Sequence, residues 1–179
     1  MTYSSQRGIG LIEVMVAALI LAVAVLGFMA LQYRSLEAAN EAYYRTQAMS
    51  IARDVAEKIR ANQFAQPIYV EQLTYKTPEP APEPDDEEEG VVMPTECTHT
   101  STCTKDQFAY VDAIEIKAKA QEVGMQVAMQ PCSGVERQCI YIAWDETLPK
   151  DGDPSKENVC TNGGTYVDAS RCIVMEAYE

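Results

Sequence analysis

From residue 9 to residue 31 the chain runs through 23 positions at which Glu13 is the sole charged side chain. A helix rising 1.5 Å per residue needs about 20 apolar residues to cross a bilayer, so this run has spanning length. The pattern then changes from uniformly apolar to periodic. Ala48, Ile51, Ala52, Val55, Ala56 and Ile59 recur at three- and four-residue spacing, which draws one apolar stripe along a helix. Glu41/Arg45, Arg53/Glu57 and Asp54/Lys58 stand four apart, a spacing that supports the polar face. No proline appears before Pro67. A single helix over 9–62, about 80 Å long, is therefore expected. Gly27 marks the alternative, two helices with a break, although one interior glycine costs a continuous helix only about 1 kcal/mol.

The polar and apolar pattern divides the remainder into a linker over 63–96 and a head over 97–179. Residues 78–89 read PEPAPEPDDEEE, four prolines and seven acids, a composition that buries no apolar surface and suits a solvated spacer. Thr104 and Gln107 form a capping box ahead of a helix over 105–122, expected to bury Phe108, Val111, Ile114 and Ala118. Ile114, Ile116 and Ala118 also alternate, so a strand stays open there. Segments 125–129, 138–144 and 172–178 are rich in Val, Ile and Tyr and bounded by turn residues, as strands are. Trp144, at the end of the second, reads as core. Asn162-Gly163-Gly164 supplies a tight turn. The expectation is an α+β fold, a long N-terminal helix packed on a small antiparallel sheet.

Charge and cysteine narrow the function. With 27 acids against 14 bases the net charge is −13. Nucleic acids and anionic membrane surfaces are bound mainly by lysine and arginine, so neither is an expected partner. Cys97, Cys103, Cys132, Cys139, Cys160 and Cys172 all fall in the C-terminal half. An even number in one small region points to disulfides and an oxidising compartment. Zinc on Cys97, His99 and Cys103 competes, but that spacing is not a usual zinc pattern. Loop closure favours near neighbours, hence Cys97–Cys103, Cys132–Cys139 and Cys160–Cys172. His99 is the single histidine, and no nucleophile elbow, zinc-protease motif or phosphate loop occurs. Neither an enzyme, a cofactor nor a small-molecule substrate is expected. Asp151, Asp153, Ser155 and Glu157 alternate like early calcium-loop ligands, but Lys156 replaces the required glycine and Asn162 the bidentate glutamate. A polar surface loop is the default there.

The N-terminus carries the sharpest signal. MTYSSQRG precedes the apolar run; Arg7 and the amino group favour the cytoplasmic side, sending the rest outward. A cleaved secretory signal would have an apolar region of only about 7–15 residues. A plain signal anchor leaves Glu13 unexplained, since a carboxylate at the bilayer centre costs about 2.5–3.5 kcal/mol on insertion scales. The residues RGIGLIEV resemble the class III signal of type IV pilins and type II secretion pseudopilins, with Gly8, Leu11, Ile12 and Glu13 matching by position. The resemblance implies a type IV pilin-like fold and a leader, 1–8, removed by prepilin peptidase after Gly8. It further implies N-methylation of the new terminus at Ile9, where the family usually has phenylalanine. Glu13 would then neutralise the N-terminus of a neighbouring subunit during filament assembly.

IARDVAEKIRANQ, the LIEVMVA start and the exit from the span over 26–32 are similar to minor pilins of the PilV kind. That likeness implies a subunit that joins other minor pilins and the major pilin, primes assembly and sits near the pilus tip. Its place would be the inner membrane, single-pass with the head in the periplasm, and then the pilus at the cell surface. Twitching motility, adhesion and DNA uptake are the system-level roles implied. A type II secretion minor pseudopilin and a membrane-anchored periplasmic binding or adhesion module that never polymerises are the alternatives.

Overall fold

Good helix formers and the absence of proline carry one α-helix, α1, through 51 residues from Leu11 to Ala61. The computed structural model describes residues 10–75, 97 and 103–177. Gly27 does not break α1; the helix continues through it, and the two-helix alternative is set aside. The chain divides into two compact units after Tyr43. In the first, every described residue from 10 to 40 is exposed. The large apolar side chains there range from Val25, 47% exposed, to Leu11, 75%.

The second unit begins at Tyr44. Its part of α1 buries Ala48, Ala52, Val55 and Ile59, the stripe expected from their spacing. A 3-10 turn, Gln63–Ala65, and helix α2, Gln66–Leu73, follow. These residues were expected in the linker over 63–96, and the structure corrects that boundary. Pro67 sits in the first turn of α2, where its missing N–H would lack a helical partner anyway, so here proline starts a helix instead of marking a loop. Ala65, Tyr69 and Leu73, four apart, are all buried in the core. The acidic run 78–89 lies outside the described residues.

Helix α3 spans Lys105–Glu122. Its capping box is complete: Gln107 N–H donates to Thr104 Oγ1 at 3.2 Å and Thr104 N–H to Gln107 Oε1 at 3.0 Å. The buried face is a different one from that expected. Ala109, Asp112, Ala113, Ile116 and Ala120 point inward, while Phe108 and Ile114 are 48% and 45% exposed. The larger side chains suggested one face, but the alanines decide the packing because they let α3 lie close against α2 and the strand Met125–Pro131.

Strands β1 (Met125–Pro131), β2 (Gln138–Trp144) and β6 (Cys172–Ala177) form an antiparallel sheet in the order β1-β2-β6. They answer the three expected strands, with Met125 opposite Trp144 and Tyr141 opposite Val174. A second sheet went unforeseen. In it β3 (Leu148–Asp151) runs parallel to β4 (Val159–Asn162), and β4 pairs antiparallel with β5 (Thr165–Tyr166). Gly163 and Gly164 link β4 to β5 with φ of 60° and 81°, the double positive φ that a two-residue hairpin turn demands.

Strand β2 explains the layering. Ile140, Ile142 and Trp144 join the helical core, whereas Cys139, Tyr141 and Ala143 face a second cluster with Cys132, Cys160 and Cys172. Both its faces are covered, so its sequence reads as nearly unbroken apolar. The six cysteines pair as Cys97–Cys103, Cys132–Cys139 and Cys160–Cys172, the near-neighbour pattern that loop closure favours. The second closes the β1–β2 hairpin, and the third ties β4 to β6, joining the two sheets.

Candidate functional site

Of the N-terminal residues singled out in the sequence, Gly8 and Ile9 lie outside the described residues. Glu13 lies in the first turn of α1, its N–H donating to the Gly10 carbonyl at 3.0 Å. A carboxylate there is favoured by the positive end of the helix dipole. Leu11 and Ile12 beside it are 75% and 73% exposed. The most apolar window of α1 is wholly unburied by the rest of the chain, and α1 is long and apolar enough to cross a membrane. Each such side chain gains about 1.5–3 kcal/mol when removed from water. A helix bare and apolar on every side therefore needs lipid or other helices around it.

In the second unit, a charged cluster fastens α1, α2 and α3. Lys58 Nζ donates to Asp112 Oδ1 at 2.6 Å and to Glu115 Oε2 at 2.9 Å. The Tyr69 hydroxyl donates to Asp112 Oδ2 at 2.7 Å. Both oxygens of the buried Asp112 are thus engaged. Partial burial pulls the Lys58 pKa down, but hydrogen bonds to Asp112 and Glu115 outweigh it and leave it raised. Burial, then the hydrogen bond to Asp112, pushes the Tyr69 phenol well above its ordinary value. The hydrogen bond from Lys58 holds Glu115 below its ordinary value. Lys58 turns to α3 rather than to Asp54, which pairs instead with Lys119 at 3.6 Å; the expected Asp54/Lys58 pair gives way to longer-range partners. Neither Asp112 nor Tyr69 was singled out in the sequence. The signal was an aspartate inside an alanine-rich stripe at 109, 112, 113, 116 and 120.

The remaining candidates are accounted for by local contacts. Asp151 Oδ1 accepts from the Thr161 hydroxyl at 2.6 Å and Gly164 N–H at 3.2 Å. Asp153 Oδ1 accepts from Ser155 N–H and its hydroxyl, and Glu157 pairs with Lys150. The four calcium-like positions serve the β4–β5 hairpin, the turn at Asp153 and Ser155, and ion pairs of Asp153 with Lys156 and Glu157 with Lys150. Among the described residues, no group of three His, Cys, Asp or Glu side chains converges as a metal site would require. Cys97 and Cys103 are bonded to each other, which removes both thiolates of the zinc reading; His99 is outside the described residues. Trp144 is 1% exposed and stacks on Tyr44 at 6.2 Å between ring centroids, a core residue as expected.

Residues 3–29 match the model of the prokaryotic N-terminal methylation motif, and residues 30–114 match the model described as Type IV pilin Tt1218. The chain belongs to the type IV pilin family. The matched methylation motif contains Gly8, Ile9 and Glu13, and it implies processing by prepilin peptidase and association with other pilins. The pilin match ends within α3, so the sheets of this pilin lie beyond it. No curated protein and no solved structure gives a significant match. Pilins are structural subunits, and the bare apolar helix of this one is built for association within a membrane or a filament.

Proposed function

We propose that this pilin is a minor pilin, of the PilV kind, that primes type IV pilus assembly and is incorporated at or near the pilus tip. The observation that carries the reading is Glu13 in the first turn of an apolar helix exposed on all sides. Prepilin peptidase cuts after Gly8 and methylates the new amino group at Ile9. While the protein waits as a single-pass subunit of the inner membrane, with its head in the periplasm, Glu13 is the only charged side chain between residues 9 and 31, and the chain's own amino group at Ile9 is the one cation of that span. On joining other minor pilins and the major pilin, Glu13 meets the N-terminus of a neighbouring subunit. That pairing fixes axial register, a use for which buried ion pairs are better suited than for net stability. No nucleic acid, cofactor or small-molecule substrate enters the scheme.

Mass spectrometry of the N-terminal peptide, from membranes and from sheared filaments, tests it. A chain beginning at methylated Ile9 and present in filaments is the expected result. An intact Met1 start, absent from filaments while prepilin peptidase is active, overturns it in favour of an anchored module that never polymerises. Processed protein that enters a secretion pseudopilus but not sheared pili would identify a type II secretion minor pseudopilin instead.

A further inference from the structure

We draw no further inference here: the strongest candidate, the apolar outer face of α3 at Phe108 and Ile114, is exposed, but nothing among the described residues shows what covers it.

Discussion

Substituting Asp112 tests whether the charged cluster, rather than the apolar stripe alone, holds α1 against α2 and α3. The Asp112 side chain is 10% exposed and that of Lys58 19%. Asp112→Ala leaves the Tyr69 hydroxyl without its acceptor, a loss of about 1–3 kcal/mol for a buried donor. Lys58 loses its shorter contact but keeps Glu115 and some water. Its share therefore falls short of the roughly 3–5 kcal/mol for breaking a fully buried pair. Together the loss is expected at about 2–4 kcal/mol. Asp112→Asn keeps an acceptor for Tyr69 and discards only the charge, so it should cost about half as much. Glu115→Gln, at a side chain 52% exposed, should cost less than about 1 kcal/mol, as surface pairs do. Replacing Lys58, Asp112 and Tyr69 together by Met, Leu and Phe leaves no charge unpaired and should recover most of the loss. Urea unfolding of the detergent-solubilised full chain, followed through its single tryptophan, Trp144, reads each value. An Asp112→Ala cost no larger than that of Glu115→Gln, with an unchanged urea slope, would refute the reasoning.

Further outcomes are expected for pH dependence, the buried face of α3, the hairpin glycines and Glu13. Stability should fall as pH rises past about 10: Tyr69 and Lys58 have raised pKa values in the fold against ordinary values of 10.0 and 10.5. What they contribute is complete below those values and lost above, and Tyr69→Phe should flatten that alkaline limb in pH-dependent urea midpoints. Glu115, held below its ordinary 4.5, contributes stability present above that value and lost as pH falls through the lowered one, an effect kept small by its exposure. Ala113→Leu should destabilise by about 1–3 kcal/mol through overpacking, while Ile114→Ser stays within about 0.5 kcal/mol; the reverse order in thermal melts would restore the face first expected for α3. Gly164→Ala combines positive φ with a Ser133 Cβ contact at 3.2 Å and should cost at least about 1–2 kcal/mol. Gly163→Asn, with open space around it and a residue type tolerant of that φ, should be nearly neutral by the same melts. Glu13→Ala should leave processing intact and abolish recovery in sheared filaments; undiminished recovery in immunoblots would remove Glu13 from assembly.

The sequence was most legible where one physical demand acts along a whole segment. A membrane-length apolar run has few readings, and the stripe from Ala48 to Ile59 declares its buried face because every member is apolar. The capping box at Thr104 and Gln107 is equally local, and α3 begins where it says. Legibility failed where a partner distant in sequence decides. Phe108 and Ile114 look more like core than Ala109 and Ala113 until α2 is known to lie close by. Asp112 looks like a solvent residue until Lys58, 54 positions earlier, and Tyr69, 43 earlier, are seen to meet it. Pro67 reads as a stop because its position relative to a helix start shows only once Ala65, Tyr69 and Leu73 are found buried.

The two units solve opposite problems with one helix. In the second, α1 spends its apolar stripe on the chain's own core, and the polar cluster at Lys58 is satisfied by Asp112 and Glu115. In the first, the apolar surface stays bare among the described residues, and Glu13 is the one charged side chain between residues 9 and 31. A helix that were only an anchor would need lipid and nothing more, and a carboxylate would be a defect in it. On the proposed assembly, a neighbouring subunit would supply both the packing for that bare surface and, in its own N-terminus, a counter-charge for Glu13.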